Sequence, residues 1–131
     1  MIVLDTSALV ATLVARKPHR DLVARVATSG SLHCPHHVDV EFLSALRGLV
    51  IGGRLTPDRA ADARQDFDIL RILRYPIRSV ADRAWDMRNA VTAYDACFLA
   101  LAEALNCPLV TCDSRLAAAN GHRASVELFT V

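Results

Sequence analysis

The stretch MIVLDTSALVA, residues 1–11, sets three apolar residues, Ile2, Val3 and Leu4, directly before Asp5 and continues at once into a helical pattern. So short a run, apolar on both faces, predicts a strand buried inside a sheet, and the aspartate at its end predicts a helix cap. The same arrangement returns at PLVTCDSRL, residues 108–116, where a strand over 108–111 leads into Asp113 and a short helix over 113–119. Short apolar strands alternating with helices imply an α/β fold with a parallel sheet covered on both faces.

The segments between and around them fit that frame. Helices are predicted over 7–16, 18–28, 37–51, 56–70, 79–90 and 92–106, and strands over 32–34, 72–77 and 126–129. Thr56 with Pro57 at the first helical position opens one helix, and Gly52-Gly53 closes the one before it. Ser79-x-x-Asp82 has the spacing of a capping box, and Thr92 is placed to cap the nearly all-apolar segment that follows. The fold class expected is a three-layer α/β/α sandwich with a central parallel sheet. In such sheets, sites form at the carboxyl ends of the strands.

With 131 residues and no repeat, linker or low-complexity tract, the chain reads as a single domain, 1–131, long enough to close a hydrophobic core. Its 53% hydrophobic and 22% charged content excludes a disordered chain. A formal charge of +1 gives no sign of strong nonspecific binding to polyanions. Lys17 is the only lysine among fifteen basic residues. Cys34, Cys97, Cys107 and Cys112 contain no C-x-x-C pair, so a disulfide framework is not expected, and a reducing, cytoplasmic location is. No apolar run is long enough for a membrane span, and the apolar stretch 7–15 lacks the basic flank of a signal peptide.

Four acids carry the candidate chemistry. Asp5, Asp95 and Asp113 each begin a helix, where a carboxylate caps free N–H groups and meets the positive end of the helix dipole. Capping explains each aspartate separately; if all three sit at one edge of the sheet, their charges repel without a cation between them, and capping does not explain that convergence. Glu41 lies on the edge of the apolar stripe Val38, Phe42, Ala45, Leu46 and Leu49. A carboxylate turned toward a core needs a partner, because an unpaired buried charge costs several kcal/mol. Asp95 raises the same question in a segment whose one other charge is Glu103. Clustered hard oxygen ligands select Mg²⁺ or Mn²⁺ and suit metal-assisted phosphodiester hydrolysis.

The fragments IVLDTSALVA, VEFLSALRGL, AYDACFLALAEAL and PLVTCDSRL, in this order and spacing, resemble the motifs of PIN domains, and specifically of VapC-like toxins of toxin–antitoxin pairs. The resemblance runs from Met1 to Val131. It implies a Mg²⁺-dependent endoribonuclease, with Mn²⁺ as a substitute, whose acids Asp5, Glu41, Asp95 and Asp113 bind the metal and support hydrolysis leaving a 5′-phosphate and a 3′-hydroxyl. Ser7 and Thr111 match small hydroxyl positions that steady the acids. It further implies a VapB-like antitoxin whose C-terminal segment crosses the toxin, a homodimer, an RNA substrate, and DNA contact only through the antitoxin. Some PIN nucleases carry another acid just after the last motif. Residues 116–119 are apolar here, so any second metal is expected to be weakly held, and the number of ions stays open.

For RNA, Arg115 is the first candidate phosphate contact, with Arg16, Arg47 and Arg88 behind it. Trp85 and Met87 read as packing or a subunit contact, and Cys34, His36 and His37 around Pro35 as a turn and not a zinc site. The rival readings are a catalytically inactive PIN-like protein-binding module and, further off, a phosphatase with Asp5 as nucleophile. The latter usually needs a second acid where Ser7 stands.

Overall fold

The computed structural model describes residues 1–131. Ile2–Leu4 forms the first strand, β1, and all three residues are buried because β1 takes the middle of the sheet. Leu32–Pro35 (β2) and Leu109–Thr111 (β4) flank it, while Ile72–Tyr75 (β3) and Val126–Leu128 (β5) form the edges. All pairings are parallel, in the order β3-β2-β1-β4-β5. Val3 lies between His33 of β2 and Leu109 of β4. The chain builds outward from β1 in one direction, then returns to build outward on the other side. The reversal falls between β1 and β4, and a parallel sheet opens its crevice at that point.

Seven helices cover the sheet: Thr6–Leu13 (α1), Arg20–Ala27 (α2), Val38–Ile51 (α3), Pro57–Ile69 (α4), Ala81–Asp86 (α5), Ala93–Leu105 (α6) and Ser114–Ala117 (α7). α6 packs on β1, β2 and β4 and is backed by α5. Its residues from Ala96 to Ala102 are therefore all buried, as its apolar composition requires. α1 packs on β4 and gathers α2, α3 and α4 around itself. Phe42 of α3 stacks on Phe67 of α4 at 4.3 Å, closing that hairpin. The buried side chains form one continuous core.

The helix ends follow local chemistry. Thr56 and Thr92 cap α4 and α6 through their hydroxyls, and Pro57 occupies the first turn of α4. Gly53, at φ +73°, takes the left-handed position after α3, and Asn106, at φ 50°, ends α6 in the same way. The capping box at Ser79 does not form. Ile77–Ser79 is a 3₁₀ turn, Val80 precedes the helix, and no side chain caps it. Ser79 is already wound into a turn and cannot adopt the extended backbone that a capping residue needs. α5 consequently starts at Ala81 and stops at Asp86, four residues short of the expected end, and the third strand stops at Tyr75.

A buried polar chain runs through the sheet beside this core. His33 is 3% exposed, with Ser31 Oγ 2.8 Å from Nε2 and the Tyr75 hydroxyl 2.7 Å from Nδ1. Burial, and then the nearby N-terminal ammonium, holds its pKa below the usual 6.5. The neutral ring is thus favoured by folding, and its contribution is complete above pH 6.5. As pH falls below 6.5 the unfolded chain takes a proton that the folded chain refuses, so stability declines until the folded ring titrates. Urea unfolding from pH 7.5 to 5.5 should show a fall of up to about 1.4 kcal/mol per pH unit. A His33→Gln chain should show a shallower fall over the same window; equal slopes would remove His33 as the cause.

Candidate active site

Asp5 follows β1 and Asp113 follows β4, so the two stand on either side of the crevice where the strand order reverses. Asp5 is 6% exposed, and both its oxygens are held. Oδ1 accepts the Ala8 N–H at 2.9 Å, capping α1, and the Ser7 hydroxyl at 2.7 Å. Oδ2 accepts the Thr111 hydroxyl. A carboxylate so engaged is fixed in orientation and a poor nucleophile, which weighs against the aspartyl-phosphatase reading.

The two hydroxyls carry the order further. Each has one proton and gives it to Asp5. As acceptors, Ser7 Oγ takes the Cys112 N–H at 2.9 Å and Thr111 Oγ1 takes the Asp113 N–H at 3.0 Å. Their own 3.2 Å approach has no proton left to share, so it is a polar contact. The turn after β4 is thereby tied through two hydroxyls to the carboxylate after β1. Asp113 caps α7, with Oδ1 accepting the N–H groups of Arg115 at 2.9 Å and Leu116 at 3.4 Å.

Glu41 and Asp95 arrive from helix starts. Glu41 Oε1 accepts the Thr6 hydroxyl at 2.6 Å and lies 3.8 Å from His37 Nε2. That nitrogen is 3.0 Å from the Tyr94 carbonyl, which can only accept, so Nε2 carries the proton. The His37 ring packs on Phe98 at 4.9 Å, and Nδ1 is buried without a partner. His37 thus joins the start of α3 to the start of α6. It brings Glu41 toward Asp95, whose backbone N–H is held by Thr92 and whose carboxylate has no protein hydrogen bond.

The surroundings act on the carboxyl groups of Asp95 and Asp5. Burial raises the pKa of Asp95, and the charges of Asp113 and then Glu41 raise it further, against weaker relief from Arg115 and His37. Burial also raises that of Asp5, against its three hydrogen bonds, with Asp95 adding to the rise. No three His, Cys, Asp or Glu side chains close into a ready metal cage. Mg²⁺ asks for less: it is ordinarily held by one or two carboxylates and keeps several waters. An all-oxygen donor set whose mutual repulsion is only partly relieved fits such an ion. It does not fit zinc, and Cys34 is buried, donates to the Leu4 carbonyl and is pushed up to about 12.

A groove of about 540 Å³ opens beside Asp95 and Asp113, lined also by Arg88, Thr92 and Arg115. Arg115 is 94% exposed and 3.9 Å from Asp113, a contact of little strength. Arg16 lies past the far end of α1 in a different groove, with Arg54 and Arg59, and Arg47 is exposed farther along α3. Sequence reasoning missed Thr6 and His37. The signals were present: Thr6 adjoins Asp5, and His37 stands one helical turn before Glu41.

A family model for the PIN domain matches residues 2–121. The chain is 38% identical over 128 residues to a protein of Mycobacterium tuberculosis named Ribonuclease VapC12, covering 98% of both. It is 44% identical over 116 residues to Ribonuclease VapC9 of the same organism, covering 88% of both. Its fold is similar to a crystal structure of VapBC2 from Rickettsia felis bound to a promoter DNA fragment, with a TM-score of 0.65 at 14% identity, covering 97% of this chain and 98% of that one.

Proposed function

From the premise that this chain belongs to the PIN-domain family, we propose that it is a Mg²⁺-dependent endoribonuclease, the toxin of a toxin–antitoxin pair. Its relatives' names, Ribonuclease VapC12 and Ribonuclease VapC9, support the RNA-cleaving part of that reading. One observation carries the chemistry. Asp95 holds a half-buried charge against the repulsion of Asp113 and Glu41 with no hydrogen-bond donor of its own. A folded chain tolerates that arrangement where a cation relieves it.

Asp5, Glu41, Asp95 and Asp113 would hold the ion, Mg²⁺ or Mn²⁺. When bound, such an ion acidifies a water and neutralises charge on the phosphate. The protein's part is to fix the ligands. Ser7 and Thr111 orient Asp5, Thr6 orients Glu41, and Asp113 is set by its cap on α7, leaving Oδ2 free. Arg115, at the rim, is a contact for an RNA phosphate.

The partners that follow are a VapB-like antitoxin covering the acids, a second copy in a homodimer, and DNA reached only through the antitoxin. The place of action is the cytoplasm. No helix is long and apolar enough to cross a membrane.

The test is cleavage of a panel of structured RNAs by the purified chain, with Mg²⁺, with Mn²⁺ and with EDTA. Cleavage in either metal, products with 5′-phosphate ends, and loss in EDTA are expected. Cleavage that continues in EDTA would overturn the metal–carboxylate reading.

A further inference from the structure

Trp85 is the only tryptophan in the chain, and it is 66% exposed. Of the two expectations, packing or a subunit contact, packing is met by Met87, which is buried, and not by Trp85. One face of the indole carries an arginine. The Arg88 guanidinium lies over the ring at 4.9 Å from its centre, and Nη1 donates to the Trp85 carbonyl at 3.1 Å. Arg88 in turn lines the groove that holds Asp95 and Asp113. A continuous surface therefore runs from an exposed indole, through an arginine, to the acids.

Two features make this more than a chance exposure. The support is rigid: Arg83 fastens α5 to α6 through a two-pronged contact with Glu103, at 2.7 and 3.1 Å. The turn after α5 is closed by N–H bonds from Arg88 to the Trp85 carbonyl and from Ala90 and Val91 to the Met87 carbonyl. The guanidinium is also pre-ordered. One of its five N–H groups is spent on the Trp85 carbonyl, leaving four for an anion, and the head group is held against the ring at 4.9 Å. Arg115, by contrast, is nearly wholly exposed and must be ordered on binding.

We propose that Trp85 and Arg88 form the RNA-gripping element of this chain. Arg88 takes a backbone phosphate flanking the one held at the acids, and the indole gives the adjacent base a stacking face. A base can reach that face only from an unpaired segment, so the substrate is engaged as a single-stranded stretch or loop. The inference rests on the RNA-cleaving reading and adds to it where the strand lies.

The sole tryptophan supplies the readout. The full chain carrying Asp95→Asn, with Mg²⁺ present, is titrated with fluorescein-labelled RNA stem-loops drawn from the cleavage panel, following RNA by anisotropy and Trp85 by its own emission. Saturable quenching of the indole, tracking anisotropy, is expected. Arg88→Ala should weaken binding on the order of 10-fold and lower the salt slope by about 1. Trp85→Ala should weaken it about 5-fold or more and Trp85→Phe less, since a smaller ring still stacks. An abasic loop should bind without quenching. In the active chain Arg88→Ala should raise KM and leave kcat close to wild type, a split that mere loss of stability would not give.

RNA binding with an unmoved indole and an unaltered Arg88→Ala constant overturns this inference alone if cleavage still depends on Asp95. Failure of every RNA to bind or be cleaved overturns both readings. Sedimentation of Trp85→Ala as a monomer where wild type is a dimer, with RNA affinity per site retained, assigns the indole to a subunit contact and overturns the inference.

Discussion

Asp95→Asn should abolish RNA cleavage while raising, not lowering, the melting temperature of the metal-free chain. The first half follows from the ligand role proposed above. Electrostatic stabilisation by a bound ion is worth several kcal/mol at the transition state, so losing a ligand to it costs on the order of 10³-fold in rate. The second half follows from what surrounds the carboxylate. Burial, Asp113 and Glu41 all oppose its charge, and no donor pairs with it. Asparagine keeps the shape and removes the repulsion, and the Thr92 cap is untouched because it uses the backbone N–H of residue 95. Single-turnover cleavage and thermal unfolding in EDTA measure the two halves. Added Mg²⁺ should raise the melting temperature of the wild type, as a ligand of the native state must, and do little for the variant. A variant that cleaves within a few-fold of wild type would remove Asp95 from the chemistry. One that melts lower in EDTA would mean that the charge has a partner.

That opposition between stability and chemistry bears on what the sequence could disclose. The strands and helix starts were legible because their signals are local: an apolar run, a cap, a glycine after a helix. Asp5 and Asp113 could each be read as a cap or as a ligand, and the structure shows the cap at both. Asp5 Oδ1 caps α1 while the same carboxylate is aimed by Ser7 and Thr111. What local signals could not supply is convergence. Asp5 and Asp113 are 108 positions apart and meet because β4 returns to lie beside β1, a fact of strand order. Glu41 was expected to need a partner with no basic one evident nearby in sequence, yet His37, one helical turn earlier, lies 3.8 Å away, and Thr6 reaches it from the adjoining helix α1. The capping box failed for the converse reason. Its spacing was right, but Ser79 lies within the 3₁₀ turn that follows Pro76. Of the two readings of Trp85, packing or a subunit contact, only packing is set aside; a six-residue helix has too short a pattern to separate its buried face, Ala84, from its open one.

Thr111→Val should lower stability by about 1–3 kcal/mol and cleavage on the order of 100-fold, although valine matches threonine closely in shape. Thr111 is fully buried, and its hydroxyl serves two acids at once. Its proton goes to Asp5 Oδ2, and its lone pair receives the Asp113 N–H. Valine leaves a buried carboxylate oxygen without a donor and a backbone N–H without an acceptor, so both sides of the crevice lose their register together. Ser7→Ala is the milder change, because Asp5 Oδ1 still accepts the Ala8 N–H at 2.9 Å. Thr111→Ser keeps the hydroxyl and loses only a methyl, and so should return most of the activity. The expected order of damage is therefore Thr111→Val, then Ser7→Ala, then Thr111→Ser, read in urea midpoints and in initial cleavage rates on one RNA. A valine variant with wild-type rates would show that the carboxylates hold their geometry without the hydroxyls. A serine variant as poor as the valine one would assign the effect to the methyl and its packing in the core.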